Sequence, residues 1–206
     1  MTSKGRSDMP EAHEQLERAE HAEHAAGENR KIALLIAILA LFLSFSETLG
    51  KSAQTEAISA NVESANLWAF FQAKTVRMTT VRTAAEELKL EADAVADPAA
   101  KAAMVKQIDT WQKTVARYDS EPETHEGRKE LSARAKEAEE TRDLAMAKYH
   151  HYELASAAFQ IGIVLSSAAV VTSAILLAWF AGLLGVVGIA ILALGVFVPH
   201  LMELFL

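Results

Sequence analysis

Residues 154–202 read LASAAFQIGIVLSSAAVVTSAILLAWFAGLLGVVGIAILALGVFVPHLM, without one Asp, Glu, Lys or Arg. As one helix this stretch would extend about 73 Å, more than twice the roughly 30 Å hydrocarbon core of a bilayer. It therefore reads as two membrane crossings joined in a hairpin. Trp179 and Phe180 are residue types that settle at the membrane interface. Ala181-Gly182 with Gly185 supplies flexible backbone, which puts the turn near 179–183. The crossings are then 154–178 and 182–199, the second ending where Pro199 cannot continue the helical ladder, with 200–206 as a short tail.

Working outward, a first apolar run, IALLIAILALFLSFSETL at 32–49, is bounded by Arg30 and Lys31 on one side and by Glu47 and Lys51 on the other. It is long enough for one crossing at the short end of the range. The 31 residues ahead of it are long and acidic, unlike the short basic region of a signal peptide, so it reads as a retained helix. Charge is thus sorted along the chain as a bilayer sorts it. The net charge of −7, from 27 acids and 20 bases, argues against a nucleic-acid binder, which needs a basic face to displace phosphate counterions. The sequence has no cysteine, which removes thiol chemistry.

Between the crossings, residues 50–153 carry a heptad seam. Ala53, Ala57, Ala60, Ser64, Leu67, Phe71, Lys74, Met78, Val81, Ala85, Leu88, Ala92 and Val95 alternate spacings of four and three, and all but Ser64 and Lys74 are apolar. This is the pattern of a helix packed along one narrow stripe. Asp97-Pro98 reads as an N-cap followed by Pro at the first helical position, which ends one helix and starts another. Met104, Ile108, Trp111, Val115 and Tyr118 continue the pattern to a second break near 119–123. From about Thr124 a third helix runs through Leu131, Ala135, Ala138, Arg142, Ala145, Tyr149 and Tyr152 into the second crossing. The expected fold is an all-α membrane protein: three transmembrane helices with a long, jointed, coiled-coil-like stalk between the first and second. An Ala-rich seam buries little apolar area per chain, so a homo-oligomer is expected.

Several constellations are candidates for function. In the N-terminal tail, 1–31, helical spacing brings His13, Glu17, His21 and His24 to one side. Neutral imidazole and carboxylate suit a divalent metal, and His titrates near neutrality; the alternative is a solvated acidic tail with incidental His. No other cofactor is expected. Leu67, Trp68, Phe70, Phe71 and Trp111 are candidate partner or oligomer contacts, with packing inside the stalk as the competing reading. Glu47, Ser166 and Ser167 are polar groups near or within the apolar runs, the kind that ion paths use. Gly162, Gly182, Gly185 and Gly188 are positioned for close helix packing. His150 and His151 sit where the second apolar run begins and read as boundary residues.

ISANVESANLWAFFQAKTVR (58–77) and EAHEQLERAEHAEHAA (11–26), with one membrane helix before the stalk and two after it, resemble a bacterial family, domain of unknown function 4337. The resemblance runs from about Glu11 to Pro199 and is most specific at Asn66–Lys74. It implies this topology and a bacterial membrane location, and it assigns no activity or site residue.

No nucleophile–base pair, phosphate loop or metalloprotease spacing appears in the sequence, so the expected role is non-enzymatic. The leading expectation is a homo-oligomeric membrane scaffold. An ion channel or small-ion transporter, and an accessory subunit of a larger membrane complex, are the alternatives. Arg30 and Lys31 favour a cytoplasmic N-terminus, whereas Lys51, Arg142 and Lys148 favour a cytoplasmic stalk; because the first helix usually dominates, the expected arrangement has the stalk and C-terminus in the periplasm.

Overall fold

In the computed structural model the backbone is described for residues 8–199 and the side chains for residues 27 and 29–199. Four helices make up the described residues, with no strand among them: α1 (Asp8–Ala94), α2 (Pro98–Asp119), α3 (Arg128–Thr172) and α4 (Ile175–Phe197). Three of them, α1, α3 and α4, are long and apolar enough to cross a membrane, as a multi-pass membrane protein requires. The chain divides into two compact units, an apolar one (residues 1–53 and 147–206) and a polar one (Gln54–Met146).

The polar unit is built on the seam read from the sequence. Ala57, Ala60, Ser64, Leu67, Lys74, Met78, Ala85 and Ala92 are all buried, and Leu67 packs on Leu131, Ala135 and Ala138 of α3, with Trp68 and Phe71 beside them. The small Ala side chains let the helices approach closely. This unit's own helices cover the seam, so other chains are not required to bury it.

The first joint lies where Asp97-Pro98 places it. The Asp97 carboxylate accepts hydrogen bonds from the N–H groups of Ala99 (3.1 Å) and Ala100 (3.3 Å), with Pro98 opening α2. The second joint is longer than the expected 119–123. It occupies residues 120–127, and α3 starts at Arg128 rather than near Thr124. The cause is local backbone: His125 sits at φ 57°, a left-handed turn that a helix cannot include. At Gly127 a Cβ would collide with the Glu121 backbone and the Glu130 carboxylate. Glu130, in the first turn of α3, ties the loop down by accepting from Ser120 Oγ (2.6 Å) and Glu121 N–H (3.1 Å). Arg128 closes it against α1 by donating from Nε to Thr75 Oγ1 (2.9 Å) and lying 4.9 Å over the Phe71 ring.

In the apolar unit, α1, α3 and α4 pack around Leu39, Ala155 and Phe159, with Phe42 stacked on Phe159 at 5.9 Å. The outward faces are Leu, Val, Ile and Phe; Val171 and Phe197, for example, are 84% and 80% exposed. Water would penalise such a surface and lipid does not.

The hairpin turn lies elsewhere than the sequence suggested. It falls at Ser173-Ala174, not at 179–183: α3 ends at Thr172, Ser173 takes φ 53°, and α4 begins at Ile175. The second and third apolar segments therefore end and begin six or seven residues earlier than expected. The glycines read as turn formers, Gly182 and Gly185, are helical, and Gly185, like Gly188 further along α4, serves close packing. A Cβ on Gly185 would come within 2.7 Å of Leu39, and one on Gly188 within 2.7–3.0 Å of three atoms of the Phe159 ring.

Candidate functional site

Within the apolar unit the polar side chains meet in pairs. Ser46, fully buried, donates from Oγ to the Tyr152 carbonyl at 2.7 Å, joining α1 to α3. About two turns further along α3, Gln160 donates to Glu47 at 3.4 Å. Ser167 is exposed and donates to the Ile163 carbonyl of its own helix. Ser166 is fully buried and its hydroxyl has no partner among the described residues. So Ser166 and Ser167, adjacent in sequence, occupy opposite environments.

His151, which the sequence reading leaves at the membrane boundary, is 1% exposed. Its Nδ1 lies 2.8 Å from the Ala147 carbonyl, which only a donor can face, and its Nε2 is buried without a hydrogen-bond partner among the described residues. Gly195 of α4 permits the approach, since a Cβ at that position would be 2.7 Å from the His151 Cβ. The spacing of His151 carries no sign of this burial, because Gly195 is 44 residues away in sequence. Gly162 also serves close packing, its Cβ position lying 3.1 Å from Leu39 and 3.3 Å from the Ala181 carbonyl. Gly182 differs from the other three, with open space where a Cβ would stand.

In the polar unit the candidate anchors are largely used internally. Leu67 and Phe71 belong to the core. Trp68 donates from Nε1 to Glu139 at 2.8 Å and meets Phe71 edge-on at 5.4 Å. Trp111 is half-buried. Phe70 lies on the flank, its ring 5.4 Å from the Lys74 ammonium. Lys74, the one charge on the seam, is 6% exposed, sits over the Phe70 and Tyr118 rings, and pairs with Glu121 (3.8 Å) and Glu126 (3.6 Å).

The face of α1 opposite the seam carries a signal that the seam reading passed over. With the buried positions as a and d of the heptad, the positions pointing away are b, c and f. From residue 58 to 83 these are Ile58, Ser59, Val62, Ala65, Asn66, Ala69, Gln72, Ala73, Val76, Thr79, Thr80 and Thr83. All are exposed and none is charged. Outward positions of a helix in water are ordinarily the charged ones. Here the charges of the same stretch are displaced to the flanks, at Glu63, Arg77 and Arg82. Ile58, Val62 and Val76 are 59%, 53% and 66% exposed. The result is an uncharged outer stripe about 39 Å long, half of it apolar and half Ser, Thr, Asn or Gln.

Residues 28–198 match the profile of a protein family described as domain of unknown function (DUF4337). The chain belongs to this family. The DUF4337 match spans the apolar runs and the whole polar unit. It begins after His13, Glu17, His21 and His24, whose side chains lie outside the described residues. Among the described residues no cluster of three or more His, Cys, Asp or Glu side chains could hold a metal ion. No curated protein and no solved structure matches the chain.

Proposed function

We propose that this DUF4337 protein is a non-enzymatic, homo-oligomeric scaffold of the bacterial inner membrane that assembles through the outer face of α1 between Ile58 and Thr83. The observation that supports this reading is the uncharged, exposed stripe at positions b, c and f. A second copy is the occupant that fits best. The stripe repeats every three and four residues, so its complement is another straight helix with the same period. The inner seam, covered within one chain, leaves this face for assembly. Arg30 and Lys31 favour the N-terminus in the cytoplasm, and hence the polar unit in the periplasm.

Because the chain has no cysteine, single introduced cysteines report contacts cleanly. Val62→Cys and Val76→Cys should each give disulfide-linked dimers in membranes, since a paired helix brings equivalent Cβ atoms within about 4 Å. Lys136→Cys, exposed on α3, should not. A single-chain mass in mild detergent, together with no cross-link at either Val position, would sink the proposal.

A second reading, ion or proton translocation, is favoured by the two buried polar atoms without partners, Ser166 Oγ and His151 Nε2, in the apolar unit. Flux in liposomes above that of empty vesicles, lost on Ser166→Ala or His151→Leu, would establish it; flux equal to that of empty vesicles would dismiss it. The accessory-subunit reading rests on Phe70 and Trp111 alone, because Trp68 is engaged by Glu139. Pull-down from native membranes that returned only copies of this chain would refute it.

A further inference from the structure

We infer that the apolar unit binds an anionic phospholipid in a groove between the start of the first apolar run and the first turns of α4. The inference rests on the membrane-spanning reading of these helices and is independent of oligomeric state. The groove encloses about 760 Å³, within the range of ligand sites. Ile32, Leu35 and Val186 line it, Gly182 lies on its floor, and Lys31 and Trp179 stand at the rim.

Each part of the groove answers a part of such a lipid. The floor is open because Gly182 has no side chain, and a Cβ there would meet no atom within 4 Å. An acyl chain can therefore lie along α4 against aliphatic walls. Lys31 is the last charged residue before the apolar run, so its ammonium stands at headgroup depth, with Arg30 next to it. Trp179, 75% exposed, adds an indole of the kind that settles at that same depth. Among the described residues no carboxylate lines the groove. A phosphate at Lys31 meets its ammonium, with Arg30 the adjacent residue, and basic pockets between membrane helices are sites for anionic headgroups. A zwitterionic lipid would bring its own cation to the same rim, where it is repelled. One Lys at an anionic surface is worth about 1 kcal/mol, which corresponds to a preference of about fivefold.

Trp179 supplies the readout. Of the three tryptophans, Trp68 and Trp111 lie in the polar unit, so lipids brominated on the acyl chains quench Trp179. The full chain is reconstituted in phosphatidylcholine vesicles doped with either brominated phosphatidylglycerol or brominated phosphatidylcholine at the same fraction. Quenching by the phosphatidylglycerol should indicate about fivefold local enrichment. Lys31→Gln should bring the two lipids towards parity. Gly182→Leu, which fills the groove and keeps both basic residues, should also abolish the preference. Equal quenching of the unaltered chain by the two lipids would overturn the inference. So would a preference that survives Gly182→Leu, which would assign it to surface charge. Absence of quenching by either lipid would overturn it too, because the groove would then be covered by protein.

Discussion

The indole of Trp68 donates a hydrogen bond to the carboxylate of Glu139 at 2.8 Å, linking α1 to α3 across 71 residues of sequence. Ser64 donates weakly to the same carboxylate oxygen at 3.4 Å. The pair flanks the Leu67–Leu131 core and fixes the register of the two helices, because only one axial alignment brings these groups together. Trp68→Phe keeps the aromatic packing and removes the donor. It should destabilise the polar unit by about 1.5–3 kcal/mol, the usual range for a hydrogen bond to a charged group. Glu139→Gln retains an acceptor and should cost less. Thermal unfolding of both variants in detergent, followed by circular dichroism, gives the comparison; equal losses would mean that the bond itself contributes nothing.

Lys74 shows how a charge can occupy a seam. Its aliphatic stem fills a core position, while its ammonium lies 5.4 Å and 5.2 Å from the Phe70 and Tyr118 ring centroids and near Glu121 and Glu126. Because Glu121 and Glu126 retain access to water, removing the charge strands neither of them. Lys74→Met should therefore change stability by less than about 1.5 kcal/mol, as volume-conserving swaps do. Lys74→Ala opens a cavity and should cost about 2–3 kcal/mol. Lys74→Glu sets a carboxylate against two others and two ring faces, and should be the most damaging. Melting temperatures in the order Met above Ala above Glu are expected; Met falling to the level of Glu would show that the ion pairs, not the stem, hold the site.

The loop at 120–127 carries the pH dependence. The hydrogen bond from Ser120 holds the Glu130 carboxyl below its ordinary value, and the hydrogen bond from Lys129 does the same for Asp119. A carboxyl depressed in the folded state stabilises the fold above its unfolded value, and that stability is lost as pH falls through the folded value. The loss should therefore begin below about pH 4. The same contact raises Lys129, whose contribution is present below its ordinary value and disappears as pH rises through the raised one. Ser120→Ala should flatten the acid limb of the stability profile and leave the alkaline limb unchanged. Lys129→Met should weaken both. Melting curves from pH 2.5 upward test this, and an unaltered acid limb in Ser120→Ala would refute it.

How much of this was legible in the sequence depends on the range of the contacts involved. The apolar runs, the inner seam and the Asp97-Pro98 joint are set by periodicity and local capping, which a sequence displays. The hairpin turn is not legible because Ser173-Ala174 has no helix breaker, while of the two glycines that suggest a turn Gly185 faces Leu39 of α1 and Gly182 is simply helical. The burial of His151 depends on Gly195, and Lys74 depends on Tyr118, both far away in the chain. The outer stripe of α1 was present in the sequence throughout. Its absence of charge at b, c and f becomes meaningful only once the a and d positions are known to be buried by the same chain.

Four glycines of the apolar unit, Gly162, Gly182, Gly185 and Gly188, separate by what a methyl group would meet, and this gives a graded test of the packing. At Gly188 the methyl would stand within 3.0 Å of three Phe159 ring atoms, and that ring is fully buried and stacked on Phe42. The ring cannot turn aside, so Gly188→Ala should cost about 2–3 kcal/mol, at the upper end for overpacking. At Gly185 the obstacle is the end of the Leu39 side chain at 2.7 Å, and at Gly162 the Leu39 side chain at 3.1 Å with the Ala181 carbonyl at 3.3 Å. A leucine can change rotamer, so both changes should cost less than Gly188→Ala, about 1 kcal/mol. At Gly182 nothing opposes the methyl, and the higher helix propensity of Ala should leave the variant at least as stable as the parent. Unfolding of the four variants by denaturant in mixed micelles should rank them with Gly188→Ala least stable and Gly182→Ala most stable. Were Gly182→Ala as damaging as Gly188→Ala, the turn would lie near 182 after all and the helical packing of α4 described above would be wrong.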